Sequence, residues 1–79
     1  MKLRRYTIVE ACEEAGVEQG FVVECLRAHW VVPAYPAEAE LDELDLARLR
    51  LIATLKEDLG VNDEAVPVIL HLVDQLRVG

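Results

Sequence analysis

Residues 7–33, TIVEACEEAGVEQGFVVECLRAHWVVP, decide the fold. The opening TIVE is a capping box, in which the Thr hydroxyl and the Glu carboxylate each accept a hydrogen bond from a backbone amide that has no partner within the helix. A helix is therefore predicted over residues 8–15. Gly16 ends this helix because glycine readily adopts a left-handed conformation. Apolar residues then recur at helical spacing and predict a second helix over residues 18–28. Two short helices joined by a turn that contains glycine indicate a helix-turn-helix.

Two further helices are predicted in the rest of the chain. Residues 30–33 leave the second helix in an extended conformation, since a residue that precedes proline avoids the α region. A third helix is expected over residues 44–59, ended by Gly60, with one apolar stripe. Asn62 or Asp63 is expected to cap a fourth helix that continues to about Arg77. The fold class is therefore all-α, and the stripe of the third helix consists of Leu46, Leu49, Ile52, Leu55 and Leu59.

Length and composition limit the function. Seventy-nine residues fit one domain, 1–79, and 53% hydrophobic residues exclude a disordered chain. Fifteen acidic and eight basic residues give a net charge of −7. This charge argues against sequence-independent nucleic-acid binding and against docking on an anionic membrane. No apolar run approaches the ~20 residues of a membrane span, and no signal peptide is recognised, so a cytoplasmic location is expected.

The charge is unevenly distributed along the chain. Lys2, Arg4 and Arg5 are three of the eight bases, whereas residues 31–45 contain five acids and no base. An acidic partner-binding surface is therefore predicted, together with a basic partner. The alternative is a solvated face that only keeps the protein soluble.

The fourth helix has too many apolar residues for one stripe. If Val66, Ile69, Leu70 and Val73 face the core, then Val68, Leu72 and Leu76 face something else. A helix that is apolar on two sides is either covered by a partner or buried among the other helices. We favour a partner, or a weak homodimer through this helix.

No catalytic constellation is recognised. The chain lacks serine, and His29 and His71 are far apart in sequence. Cys12 and Cys25 have no metal-ligand spacing and are expected to be buried small hydrophobes, although a disulfide between them stays open. Trp30 is expected to pack under the helices, the alternative being an exposed anchor for a partner. We predict neither an enzyme nor a cofactor or metal site; His71 is expected to be half-buried.

Four segments resemble the MerR-type winged helix-turn-helix family. RYTIVE, Gly16-Val17, Val31-Val32-Pro33 and DLARLRLIATL (residues 45–55) are similar to the family motifs YTI-x-E, GVS, GLL-x-P and DL-x-RL-x-x-I-x-x-L. The resemblance covers nearly all of the chain and implies four helices with a wing between the second and third. The segment 33–45 is short and acidic, so a reduced wing is expected.

The DNA-reading part of the family pattern is absent from this chain. Glu18 replaces the capping serine, and Gly20 and Val23 occupy positions where the family has DNA-contacting bases. Glu24 stands where a tyrosine approaches phosphate. Since phosphate contacts supply most of the affinity for DNA, we do not expect DNA binding.

The last part of the chain, residues 59–76, is similar to the final helix of chaperone-modulator proteins of the CbpM type. These proteins bind the J-domain of a CbpA-like (DnaJ-related) co-chaperone. The resemblance implies an inhibitor that masks the basic Hsp70-docking helix of the J-domain with an acidic surface. The residues expected to contact the partner are Glu38, Glu40, Asp42, Glu43, Asp45, Glu57, Asp58, Glu64, Val68 and Leu72.

Two alternatives stay open. The first is a MerR-like or excisionase-like DNA-binding regulator, whose phosphate-binding face would consist of Lys2, Arg4, Arg5 and Arg27. The second is a self-associating domain, which would show concentration-dependent stability.

Overall fold

A computed structural model describes the backbone of residues 3–78 and the side chains of residues 3–76. In this part of the chain, four α-helices surround one core and a two-stranded antiparallel sheet lies beside them. The elements in chain order are β1 (Arg5–Thr7), α1 (Ile8–Ala15), α2 (Gln19–Arg27), a 3-10 helix (Pro36–Glu38), β2 (Glu40–Asp42), α3 (Glu43–Ala53), a π-helical segment (Thr54–Asp58) and α4 (Val66–Val78).

The predicted helix-turn-helix is present. The Thr7 hydroxyl accepts a hydrogen bond from the amide of Glu10 at 3.2 Å, and the Glu10 carboxylate accepts one from the amide of Thr7 at 2.9 Å. Gly16 follows α1 with a φ of 70°, in the left-handed region. Helix α2 is one residue shorter at each end than expected, because Glu18 and Ala28 are its cap residues.

The sheet was not predicted. Strands β1 and β2 pair with Tyr6 opposite Leu41, and both of these side chains are buried. A bridge between Tyr35 and Glu40 encloses the 3-10 helix and forms a small hairpin where a reduced wing is expected. Strands of three residues are too short to give an alternating pattern that sequence analysis can recognise.

The third helix differs from the expectation in its second half. Asp42 and Asp45 form a second capping box at its start, with hydrogen bonds of 2.9 and 3.0 Å. After Ala53 the chain continues as a π-helix, and the amide of Leu59 donates to the carbonyl of Thr54. This wider turn shifts Leu59 off the apolar stripe, so Leu59 is 66% exposed and its predicted place in the stripe is wrong.

The fourth helix begins later than expected. The Asn62 side chain accepts a hydrogen bond from the amide of Ala65 at 3.0 Å and caps a single turn, not the helix. Helix α4 starts at Val66, with Pro67 in its first turn, where no amide is needed. None of the described helices is long and apolar enough to cross a membrane.

The core lies between the helices and the sheet. Trp30 is buried at 7% exposure, in agreement with the expectation that it packs under the helices. Cys12 and Cys25 are both free thiols, half-buried and buried respectively. The expectation for His71 is wrong: its side chain is exposed and lies 3.1 Å from the Gln75 amide nitrogen. The largest fully buried side chains are Leu41, Leu49, Ile52, Val22, Val31, Val66 and Cys25.

Candidate partner-binding surface

The second helix of the helix-turn-helix exposes an acidic and neutral face. Glu18, Gln19 and Gly20 are exposed at its start, and Glu24 is exposed farther along. The Glu24 carboxylate accepts a hydrogen bond from the Lys56 ammonium at 2.7 Å. Arg27, in the last turn, is the one base within α2. This face therefore offers little positive charge to a phosphate backbone.

Most of the described bases are engaged within the molecule. The Arg5 guanidinium lies 2.6 Å from the Glu40 carboxylate and stacks on the Tyr35 ring, 3.8 Å from its centroid. Lys56 pairs with both Glu24 and Asp63 at 2.7 Å. These ion pairs neutralise the positive charge of both side chains.

Arg48 joins three parts of the fold. Its guanidinium donates two hydrogen bonds to the Asp74 carboxylate, at 2.7 and 3.1 Å, and one to the carbonyl of Trp30 at 2.6 Å. We call this arrangement the Arg48 clasp. It fixes α4 against α3 and against the segment that follows α2.

Of the six bases within residues 3–76, two have neither a carboxylate nor a carbonyl partner. Arg50 donates to the carbonyl of Glu14 at 2.8 Å, so Arg5, Arg48, Arg50 and Lys56 are all engaged. Among residues 3–76, only Arg4 and Arg27 lack a hydrogen-bonded acid or carbonyl, and Arg4 stacks on Tyr6. Lys2, the remaining member of the predicted phosphate-binding face, lies outside the described residues.

The predicted contact acids within residues 38–45 mostly form contacts that stabilise the fold. Glu40 pairs with Arg5, and Glu38 lies 3.8 Å from the same guanidinium. Asp42 and Asp45 form the α3 capping box, and the Asp45 carboxylate also accepts a hydrogen bond from the amide of Ala34 at 3.0 Å. Burial raises the pKa of the Asp45 carboxyl above its ordinary value. Glu43 is the member of this group that is exposed without an ion pair in the described part of the chain.

The other predicted contact acids, in residues 57–64, are exposed and accessible to a partner. Glu57 and Asp58 lie in the π-helical segment, and Glu64 lies in the turn before α4. All three are exposed, and none forms an ion pair with another described residue. We call these three residues the junction acids.

Helix α4 is apolar on two sides, as predicted. Val66 and Leu70 are buried, at 0% and 2% exposure. Val68, Leu72 and Leu76 are exposed by 60%, 54% and 83%, and steps of four residues place them in one row. We call this row the apolar ridge.

A groove of about 260 Å³ lies between α3 and α4 and is lined by Ala47, Arg48, Leu51 and Val73. Sequence reasoning missed it, because helical periodicity identifies the faces of each helix but not the space between two helices. Arg48 and Asp74 also line a second cleft, of about 300 Å³, together with His29, Trp30, Val32, Leu44 and Asp45. No group of three or more His, Cys, Asp or Glu side chains that could hold a metal ion occurs within residues 3–76.

These elements define a helix-turn-helix domain with a small two-stranded wing. The family model described as MerR HTH family regulatory protein matches residues 6–78. The chain belongs to this family, and the predicted MerR-like fold of four helices is confirmed. Membership of a regulatory family favours a role without catalysis. No curated protein matches the chain.

Proposed function

We propose that this chain regulates by binding a protein and not by reading DNA. Its partner in this proposal is the J-domain of a CbpA- or DnaJ-like co-chaperone in the cytoplasm. The chain inhibits this co-chaperone by masking the basic helix of the J-domain on which Hsp70 docks. The observation that supports the proposal best is which charged side chains already have partners within the molecule. Four of the six described bases donate hydrogen bonds to carboxylates or carbonyls, whereas none of the junction acids forms an ion pair with a described residue.

Electrostatics explains why this distribution favours a basic partner. Affinity for duplex DNA comes largely from Lys and Arg side chains that replace condensed counterions on phosphates. In this chain, Lys56 neutralises Glu24 instead of contacting a phosphate. A surplus of unpaired acids accelerates association with a basic surface and disfavours an anionic one.

The junction acids are the part of the predicted contact set that the geometry favours most. Glu40, Asp42 and Asp45 already have partners inside the molecule, so using them in binding would weaken the wing or the start of α3. Glu57, Asp58 and Glu64 can approach a cation without breaking an existing ion pair. We therefore assign to them the main electrostatic contact, with Glu43 in a secondary position.

The test is calorimetric titration of the chain into an isolated J-domain at two salt concentrations, about 50 and 200 mM. One variant replaces the three junction acids with lysine. A matched control replaces Glu13, Glu14 and Glu18 with lysine, which changes the net charge equally on exposed positions of α1 and the α2 cap. We expect the junction variant to lose binding and its salt dependence, and the control to retain most of the affinity.

Two results would count against the proposal. Equal losses in both variants would show that only overall charge matters and that the junction is not the contact. Absence of binding by the unmodified chain at micromolar concentration would exclude J-domain masking.

A DNA-binding regulator is the second candidate, favoured by membership of the MerR family. Its phosphate contacts would come from Arg4 and Arg27, the described bases without an acidic or carbonyl partner. An electrophoretic mobility-shift assay at low salt tests it. We expect no shifted band, and a band that disappears with added salt and with the Arg27→Ala substitution would favour this candidate.

A further inference from the structure

The α3–α4 groove and the adjoining apolar ridge also suggest the shape of the partner segment. We infer that this surface docks an amphipathic α-helix whose apolar stripe is flanked at both ends by Lys or Arg. The inference deepens the proposed function, on which it rests, by specifying the kind of segment that is bound.

The apolar part of the surface has the dimensions of a short helix. The ridge extends over eight residue steps from Val68 to Leu76, or about 12 Å at the rise of an α-helix. Across the groove, Ala47 and Leu51 line the wall formed by α3. Because the Arg48 clasp ties the two helices together, the groove is preformed. Amphipathic helices commonly bind in a cleft between two packed helices, into which they insert apolar side chains spaced by three and four residues.

Acidic side chains lie near both ends of this apolar surface. Glu43 precedes Ala47 by one turn of α3, and Glu64 precedes Val68 by four residues. Asp58 lies beyond Leu51 in the π-helical segment. Arg48, which lines the groove, is neutralised by its two hydrogen bonds to Asp74. A helix with an apolar centre and basic ends is therefore complementary in both polarity and charge.

A second copy of this chain fits the surface less well. Two copies would bring together two chains that each have a net charge of −7. A basic partner avoids this repulsion and adds ion pairs around the apolar contact.

The experiment compares a ridge variant, Leu72→Gln with Leu76→Gln, with a control variant, Val9→Gln. Val9 is 58% exposed on α1, so the control removes an exposed apolar side chain from a different face. The binding probes are the isolated J-domain and a synthetic peptide with leucines at helical spacing and lysines at both ends. A scrambled peptide of the same composition controls for charge alone. Thermal unfolding of each variant checks that the fold is retained.

We expect the ridge variant to bind both probes roughly tenfold to a hundredfold more weakly, because two leucines are no longer buried. The loss should be equal at both salt concentrations, since apolar contacts are not screened by ions. The Val9→Gln control should bind like the unmodified chain, and the scrambled peptide should bind weakly to every variant.

The outcomes separate this inference from the proposed function. If the ridge variant binds the J-domain as tightly as the unmodified chain, the inference is wrong and the proposed function stands. If the J-domain does not bind but the amphipathic peptide binds through the ridge, the proposed function is wrong and the docking site is supported. Binding of neither probe overturns both. A dimer in sedimentation analysis that the ridge substitutions dissociate would identify a second copy as the occupant and overturn the inference.

Discussion

The backbone of His29 is strained, and relieving this strain should stabilise the protein. His29 has a φ of 60°, in the left-handed region where a side chain costs about 1–2 kcal/mol. It follows the end of α2, where its amide donates to the carbonyl of Leu26 at 3.2 Å. Glycine is the residue usually found at this position after a helix. The family motif GLL-x-P, aligned on Pro33, also has its glycine at position 29. We therefore predict that His29→Gly raises the free energy of unfolding.

Two opposing terms set the size of this effect. Removing the Cβ atom relieves about 1–2 kcal/mol of strain in the folded state. Glycine also increases the conformational entropy of the unfolded chain, which costs about 0.5–1 kcal/mol. The net gain lies between about 0 and 1.5 kcal/mol; its midpoint, about 0.75 kcal/mol, raises the melting temperature by about 3–6 °C in a domain of this size. The imidazole is exposed, so its removal contributes little.

Urea unfolding followed by far-ultraviolet circular dichroism measures the effect. His29→Ala removes the imidazole but retains the strain, so the difference between the Ala and Gly variants isolates the backbone contribution. Ala28→Gly is the second control: Ala28 has a φ of −78°, so glycine there increases unfolded-state entropy without relieving strain and should be destabilising. The reasoning is refuted if His29→Gly is no more stable than His29→Ala.

Three further predictions concern stability and reactivity. Arg48→Met removes the charged hydrogen bonds of the clasp and should lower the free energy of unfolding by about 2 kcal/mol in the same urea assay; a change within the error of the assay would contradict this. Hydrogen bonds to Asp63 and Glu24 raise the pKa of Lys56 from 10.5 to about 12, so its stabilisation is complete below 10.5 and is lost as the pH rises towards 12. Lys56→Met should remove this part of the pH dependence of thermal unfolding, and an unchanged alkaline profile would count against it. Burial raises the pKa of the Cys25 thiol to about 11, so iodoacetamide at mildly alkaline pH should modify the other cysteine first, as mass spectrometry can show; equal rates would be inconsistent with the structure.

Local sequence patterns predicted the parts of the fold that depend on neighbouring residues. The TIVE capping box and Gly16 gave the exact bounds of α1, because both signals act within one turn of the helix. The two apolar faces of α4 followed from spacing alone, and the burial of Leu70 and exposure of Leu72 agree with it. The late start of α4 was missed because Asn62 is a good cap in sequence, yet its hydrogen bond closes only an isolated turn.

Contacts between distant residues account for what could not be predicted. The run of acids in residues 38–45 was expected to face a partner, but Arg5, 35 residues before Glu40, engages two of its members. No local pattern indicates this pairing, because it depends on the three-residue strands that bring the two segments together. The groove between α3 and α4 was missed for the same reason, since it exists only once the Arg48 clasp sets the position of α4.

The same distinction explains how a chain can keep the fold of its family while the exposed face of α2 carries little positive charge. Family motifs such as YTI-x-E consist of residues of the core and of the helix caps. Substitutions on an exposed helix face, in contrast, usually change stability by less than about 0.5 kcal/mol. Evolution can therefore replace the outer residues of α2 while the fold persists. In this chain, the residue at position 24 is linked to other elements, because Glu24 forms an ion pair with Lys56, which also pairs with Asp63. A single substitution such as Glu24→Lys would place two ammonium groups together beside Trp30 without releasing Lys56 from Asp63. A basic residue at position 24 therefore also requires changes in the π-helical segment and in the turn before α4.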